Sequence, residues 1–295
     1  MSKRTASWLA WSMCALSLAL SALGLLFHVL NLPHPSVPIF DHWVESTLAG
    51  LSFPTVGAVI ASYRNENPIG WLMCASGLLF GLVLLASEYA IYTLLAVPGS
   101  LLAGEVAAAS NSLWVLAYNL FALVLLLFPE GRLPSIRWRW FVYLYVTIAL
   151  VEVISMPFLY GSLEGLDPIQ NPLGIEGLPI GRKPVQALVF AMLFIAAALL
   201  LVRLRGAGWV ERQQIKWLAY AAAMASIGSI LAYTIPEVIS ARWVSWAGYA
   251  IMAIGVLAMP IAIGIAILRY RLFEIDLIIN RTLVYGSLTA LLALW

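Results

Sequence analysis

Residues 8–30, WLAWSMCALSLALSALGLLFHVL, run for 23 positions without an Asp, Glu, Lys or Arg, and Lys3 and Arg4 stand just before them. About 20 such residues in a helix cross the hydrocarbon core of a bilayer. The run ends in Phe27, His28, Val29 and Leu30, not in the small residues of a signal-peptide cleavage site, so it reads as a first membrane span. The whole chain has the same character. Hydrophobic residues make up 63% and charged residues 10%, and mean hydropathy is +0.95, against about 45–50% apolar and about 25% charged in soluble domains. The net charge of +2 leaves a nucleic-acid partner no electrostatic footprint.

Reading outward from this run, further spans are expected near 43–63, 69–97, 111–128, 140–160, 184–202, 217–235 and 244–268. The links between them carry breakers: Pro33, Pro35 and Pro38 after the first span, Pro68 after the second, and Pro129, Gly131 and Pro134 after the fourth. The longest link, 161–183, is rich in Gly and Pro and reads as an irregular loop. Gly77 and Gly81 have the spacing that lets a neighbouring helix approach closely. The last apolar run, 282–295, has 14 residues and is too short to cross. The expected architecture is an all-α polytopic bundle: an eight-span domain over 1–268, a connector at 269–281 and an incomplete ninth span at 282–295, the chain being a fragment or truncated.

Orientation follows from the basic residues. With the N-terminus in the cytoplasm, the inner segments hold Lys3, Arg4, Arg64, Arg132, Arg137, Arg139, Arg203, Arg205, Arg212, Lys216, Arg269, Arg271 and Arg281, 13 of the 16 basic residues. Arg182, Lys183 and Arg242 remain outside. Short loops rich in Lys and Arg resist translocation, so this split fixes the sidedness and supports the number of crossings. Trp8, Trp43, Trp71, Trp138, Trp140, Trp217 and Trp243 fall at span ends, the level at which indole rings rest.

The inner links, taken together, resemble a known family. Residues 64–72 (RNENPIGWL), 128–135 (FPEGRLPS), 211–218 (ERQQIKWL) and 269–286 (RYRLFEIDLIINRTLVYG) are similar to the loop motifs of multi-span N-terminal sensor regions of bacterial sensor histidine kinases, of which the competence and quorum-sensing kinases are the best-known type. The resemblance implies a multi-pass region of the bacterial plasma membrane that senses a stimulus and passes it to kinase domains. It also implies a homodimer in the full-length protein, with a response regulator as downstream partner. This stretch itself holds no phosphoacceptor histidine in a soluble segment and no nucleotide-binding glycines. No catalytic residue, cofactor or metal is therefore assigned, and the immediate partner is the lipid bilayer.

The connector has a physical reading of its own. Leu268, Leu272, Ile275 and Ile279 recur at helical spacing and form one stripe, while Glu274 can pair with Arg271 and Arg281 on another face. Arg269, Arg271, Glu274, Asp276, Asn280 and Arg281 are thus candidates for coupling the eighth span to the ninth. The plainer reading is a solvated, salt-bridged link.

Two acids lie within spans. An ionisable group in hydrocarbon costs roughly 3 kcal/mol on insertion scales and belongs at a bundle interior, a cavity or a partner. Glu88, between Ser87 and Tyr89 near the outer surface, is expected to be hydrated. Glu152, deep in the fifth span, is the stronger candidate for sensing, with a structural hydrogen bond as the alternative. Asp41, His42 and Glu45 read as polar surface ahead of a metal site. Cys14 and Cys74 read as small buried hydrophobes, and Pro54, Pro157 and Pro260 as helix kinks. Beside the sensor reading stand a small-molecule transporter or channel, against which no matching half-repeats are evident, and a non-signalling membrane scaffold.

Overall fold

The computed structural model describes residues 2–34, 42–129, 131–133, 138–161, 170–171, 173–178, 181–204, 208–235 and 242–269. Among them the chain forms nine α-helices: α1 (Lys3–Asn31), α2 (Trp43–Tyr63), α3 (Pro68–Ile91), α4 (Gly104–Ser110), α5 (Trp114–Leu127), α6 (Trp138–Ser155), α7 (Arg182–Arg203), α8 (Trp209–Ser229) and α9 (Arg242–Arg269). A π turn at Tyr92–Ala96 extends α3, a 3-10 turn at Asn111–Leu113 joins α4 to α5, and another at Met156–Phe158 ends α6. Eight of the resulting rods are long and apolar enough to cross a membrane, α4 and α5 forming one of them. No strand occurs among the described residues, only an isolated bridge between Leu159 and Ile175. The protein is an all-α polytopic bundle. In hydrocarbon the backbone must satisfy its own polar groups, and helices do so within one segment.

Three boundaries differ from the sequence reading. Residues 104–110 are helical, not loop, because nothing between Gly104 and Ser110 breaks a helix once Gly99 and Ala103 have turned the chain with positive φ. The helix that carries the seventh span starts at Trp209, after Gly208, so most of the link 203–217 is helical, while the stretch apolar enough to cross is Ile215–Ala232. Pro157 kinks nothing: it sits in the 3-10 turn where α6 ends. Pro54 and Pro260 do lie inside helices. The connector and the ninth run fall outside the described residues, except Arg269, the last residue of α9.

Six helices form a ring in which α2, α3, α5, α7, α8 and α9 each touch the next and α9 returns to α2. Helix α1 lies outside against α2 and α3, and α6 outside against α5 and α7. Lipid tails are as apolar as the side chains, so close packing has to hold these helices together. Gly77 is what lets Pro54 press on α3, since a Cβ there would collide with the proline ring, and at Gly81 a Cβ would stand 2.9 Å from the Ser17 carbonyl of α1. Ser17 Oγ lies 2.8 Å from the Gly50 carbonyl and 2.9 Å from that of Gly77, so one hydroxyl proton is shared between α2 and α3. On the far side, Gly228 and Gly248 let the backbones of α8 and α9 meet in the same way, a pairing not anticipated from the sequence.

The ring's interior is aromatic. Phe53 stacks on Phe121 at 4.8 Å and meets Phe80 edge-on at 6.1 Å. Phe80 meets Tyr118 at 5.1 Å, and Tyr118 and Trp114 both pack on Phe190.

The ends of the rods sort into two groups, as alternating crossings require. One end gathers His28, Trp43 and Glu88. The other gathers Ser7 with Ser62, Arg203 with the Leu126 carbonyl, and Asn67 with Gly131. The charge count makes the first group the outer end.

Candidate functional site

At the outer end, the last turns of α1 and α3 bring three polar residues into contact. Glu88 Oε1 lies 3.0 Å from His28 Nδ1, and Glu88 Oε2 accepts from Asn31 Nδ2 at 2.9 Å. Asn31 Nδ2 also donates to the Glu88 carbonyl at 2.9 Å. His28 and Asn31 are three apart on α1, so both face α3. Glu88 is 1% exposed, which corrects the expectation of a hydrated surface acid: α1 covers it. With the carboxylate ionised, Nδ1 is the donor of the pair. The His28 ring stacks on Trp43 of α2 at 4.4 Å, and next to Glu88, Ser87 Oγ donates to Asn111 Oδ1 at 2.8 Å. The cluster thus ties α1, α2, α3 and the start of α5 at one level.

Beside it α2, α3, α5 and α7 line a cleft that is open at its mouth and encloses only about 40 Å³. Its polar residues are His42, Glu45, Ser46, Asn111 and Gln186, and its walls are Phe80, Val83, Trp114, Tyr118 and Phe190. Glu45, read from sequence as surface, is buried at 4% exposure, because α2 turns it toward α3 and α7 and away from lipid. Apolar walls with a few convergent polar groups have the make-up of a small-molecule site, here on a scale well below the roughly 300–1,000 Å³ of full pockets. Towards the inner side the ring is closed by the Phe53, Phe80 and Phe121 contacts.

Glu152 stands apart. On α6 the residues Tyr145, Ala149, Glu152 and Met156 form one buried stripe at spacings of four, three and four, and the stripe meets Asn119 of α5. Asn119 Nδ2 donates to Glu152 Oε2 at 3.0 Å, and the Tyr145 hydroxyl donates to Asn119 Oδ1 at 2.6 Å. This clasp fastens a helix whose opposite face, with Trp140, Leu144 and Val151, is exposed. Beyond the end of α6, Arg182 Nη1 donates to the Met156 and Leu159 carbonyls at 3.3 Å, and Asn171 Nδ2 donates to those of Pro157 and Leu159 at 2.8 Å. One of the three outer basic residues is therefore engaged with orphan carbonyls of a helix terminus.

The inner motifs also resolve into structural roles. Asn67 Oδ1 accepts from the Ile69 amide and caps α3, Pro68 fills its first turn, and Trp71 Nε1 donates to the Asn65 carbonyl at 3.0 Å. Gly131, at φ +74, packs on this cap: a Cβ there would lie 2.5 Å from Asn67 Oδ1. Two motifs distant in sequence thus form one contact. Arg203 Nη1 donates to the Leu126 carbonyl at the end of α5, where the helix dipole favours a cation.

Of the coupling candidates, Arg271, Glu274, Asp276, Asn280 and Arg281 lie outside the described residues, as does Asp41. Among the described residues no three of His, Cys, Asp and Glu come together as a metal site would need. Cys14 and Cys74 are buried and free. Sequence reasoning missed Asn31, Asn119 and Tyr145 as partners of the intramembrane acids. The signal that could have found them is an amide in an otherwise apolar run, at the depth of each acid. No protein-family model, no curated protein and no solved structure matches this chain.

Proposed function

We propose that the chain is the membrane-embedded sensing and signal-transmitting region of a bacterial two-component sensor histidine kinase, seated in the plasma membrane with its N-terminus in the cytoplasm. The motif resemblance suggests this reading, and one feature of the ring carries it. Helix α2 lines the outer cleft through His42, Glu45 and Ser46, and eleven residues beyond Glu45 its Val56 faces Gly264 of α9, where a Cβ would stand 3.4 Å away. At a rise of about 1.5 Å per residue, the two points are about 16 Å apart along one rod. Gly264 is five residues before Arg269, the start of the connector. An occupant that shifts α2 at the cleft therefore acts on the exit helix directly. The aromatic packing beneath the cleft favours a receptor over a conduit.

The genomic reading frame past codon 295, together with its neighbouring genes, tests this. A continuing frame that encodes a phosphoacceptor helix and an ATP-binding domain supports the reading. A frame that closes at once, with no kinase gene beside it, overturns it. In the full-length kinase, Glu45→Gln is expected to change phosphotransfer in response to stimulus while leaving the amount of folded protein in the membrane unaltered.

A further inference from the structure

We propose that the inner end of α8 holds an anionic phospholipid of the inner leaflet, with its phosphate on Arg212 and Lys216, its glycerol esters against Trp217 and Tyr220, and its acyl chains along Met224 and Ile227. The inference goes beyond the sensing reading and does not depend on it.

These six residues share one face of one helix. At 3.6 residues per turn they fall within an arc of about 140°. Arg212 and Ile227 are exposed, as are Trp217 at 69% and Tyr220 at 60%, while Lys216 and Met224 are half-buried. The opposite arc carries Ile215, Leu218, Ala222 and Ala225, all buried against the ring. The exposed arc is therefore the side that α8 turns to lipid.

Their order along the helix is that of a phospholipid. The stretch apolar enough to cross is Ile215–Ala232. Arg212 stands three residues ahead of it, or about 4.5 Å at the rise of a helix, which is inside the headgroup layer of about 5–7 Å on each side of the hydrocarbon core. Lys216 and Trp217 lie in the first turn of the crossing stretch, and the lysine stem is long enough to carry its ammonium group back to the headgroups. Tyr220 is one turn deeper, and Ile227 about 18 Å inside. Cations, then amphipathic rings, then hydrocarbon meet phosphate, glycerol esters and acyl chains in turn. A soluble anion would use only the first of these.

Charge selects the headgroup. Among the described residues neither the Arg212 nor the Lys216 side chain makes a hydrogen bond or ion pair. The two stand four apart, so both can reach one phosphate. Arg203, at the end of the neighbouring α7, is by contrast engaged with the Leu126 carbonyl. Glu211, the acid of this stretch, is in register with Ile215 and Leu218 on the opposite arc. Glu66, exposed at the same end of the bundle, belongs to the link before α3, across the ring from α8. Two cations with no acid on their arc favour a lipid of net negative charge. A zwitterionic headgroup would bring a cation of its own to the same place. Helix α8 is also the one whose backbone meets that of α9 at Gly228 and Gly248, so the lipid would load the helix interlocked with the exit helix.

Native mass spectrometry of the full chain in detergent, titrated with dioleoyl phosphatidylglycerol or with dioleoyl phosphatidylcholine, tests this through the affinity of the first bound lipid. Tighter binding of phosphatidylglycerol is expected. Arg212→Gln and Lys216→Gln should each weaken it by about fivefold, and together by about twenty-five-fold. Arg212→Lys, which keeps the charge, should retain most of it, and Trp217→Leu should cost less than either loss of charge. Lys3→Gln with Arg4→Gln removes the same charge at the inner end of α1 and should leave it nearly unaltered. If the double variant on α8 fails to fold, the two single variants decide. Equal affinity for the two lipids, full binding by the α8 double variant, or an equal loss in the α1 double variant overturns the site. Binding of glycerol 3-phosphate as tight as that of the lipid would make it a site for free anions and would overturn the proposal too. A preference for phosphatidylglycerol that is absent in the wild type and emerges only in Glu274→Gln with Asp276→Gln would give the stripe to the connector instead.

Discussion

Removing Glu88 exposes what the outer cluster contributes. In Glu88→Ala, His28 Nδ1 loses the carboxylate at 3.0 Å, while Asn31 Nδ2 keeps the backbone carbonyl of residue 88 at 2.9 Å. Only one of the two partners is orphaned. Breaking a fully buried ion pair from one side costs about 3–5 kcal/mol, whereas side-chain hydrogen bonds between membrane helices average about 0.6 and reach about 1.7 kcal/mol. With Asn31 still satisfied, the expected loss lies between these, at about 2–3 kcal/mol. Glu88→Gln keeps the shape and one acceptor oxygen, and should lose about 1 kcal/mol. The decisive quantity is the double-mutant cycle with His28→Ala: once the histidine is gone, the alanine at 88 orphans nothing, so the coupling should be about 1–2 kcal/mol. Unfolding of the purified chain in mixed micelles of increasing sodium dodecyl sulfate, followed by far-UV circular dichroism, measures it. Coupling within about 0.5 kcal/mol of zero would show that the two side chains do not stabilise each other and that the cluster is not a unit.

Other outcomes rest on the packing and the topology. A reporter active only outside the cytoplasm should give signal when fused after Gly174 and none when fused after Gly206; the opposite pattern overturns the sidedness. Ser7→Cys with Ser62→Cys should form an oxidant-dependent crosslink within one chain, visible as a shift in gel mobility, since the two hydroxyl oxygens are 3.2 Å apart. Two glycines of α9 should respond oppositely to alanine in the same micelle assay. At Gly264 the new methyl makes ordinary contact with Val56 at 3.4 Å, and helix propensity alone predicts a gain of about 0.5–1 kcal/mol. At Gly255 it would run into the Ala225 backbone, with a loss of about 1–3 kcal/mol. In a signalling assay of the full-length protein, Glu88→Gln should alter output more than Glu152→Gln, and equal or reversed effects would return priority to Glu152.

The spans were legible because each is a long uncharged run, and because the basic residues fall so unevenly between the links. Hydropathy cannot locate a helix start that lies in polar sequence. Residues 209–216, with Glu211, Arg212 and Lys216, form helix beyond the apolar window, and for that reason they read as loop. The two acids were legible as anomalies, but their ranking was not. Distance from the expected surface makes Glu88 look wet, and only the packing of α1 onto α3 shows that it is covered. Glu152 looks the more exceptional because it lies deeper. Yet Asn119, the residue that accounts for it, sits 33 positions away on another helix, and one sequence carries no record of which helices are neighbours. For the same reason His42, Glu45, Asn111, Trp114 and Gln186 could not be read as one cleft. They come from three separate segments, and the ring of six helices alone brings them together.

Helix α2 connects these observations. Its middle is locked to α3 by Pro54 against Gly77 and to α1 through Ser17, so neither neighbour can move without it. Its outer end carries Glu45 into the cleft and touches the Glu88 cluster through Trp43 and His28. Its contact with α9 is of another kind: at Gly264 there is room for an added methyl, whereas α8 and α9 meet backbone to backbone at Gly228 and Gly248. Interlocked backbones resist sliding, and a looser side-chain contact permits it. The mechanical division of the bundle therefore falls between the α1–α2–α3 group, which holds Glu45 and Glu88, and the α8–α9 pair, which leads to the connector. A stimulus that displaces one group against the other needs to work only on this weaker seam, and the cleft lies within reach of it because α2 belongs to both.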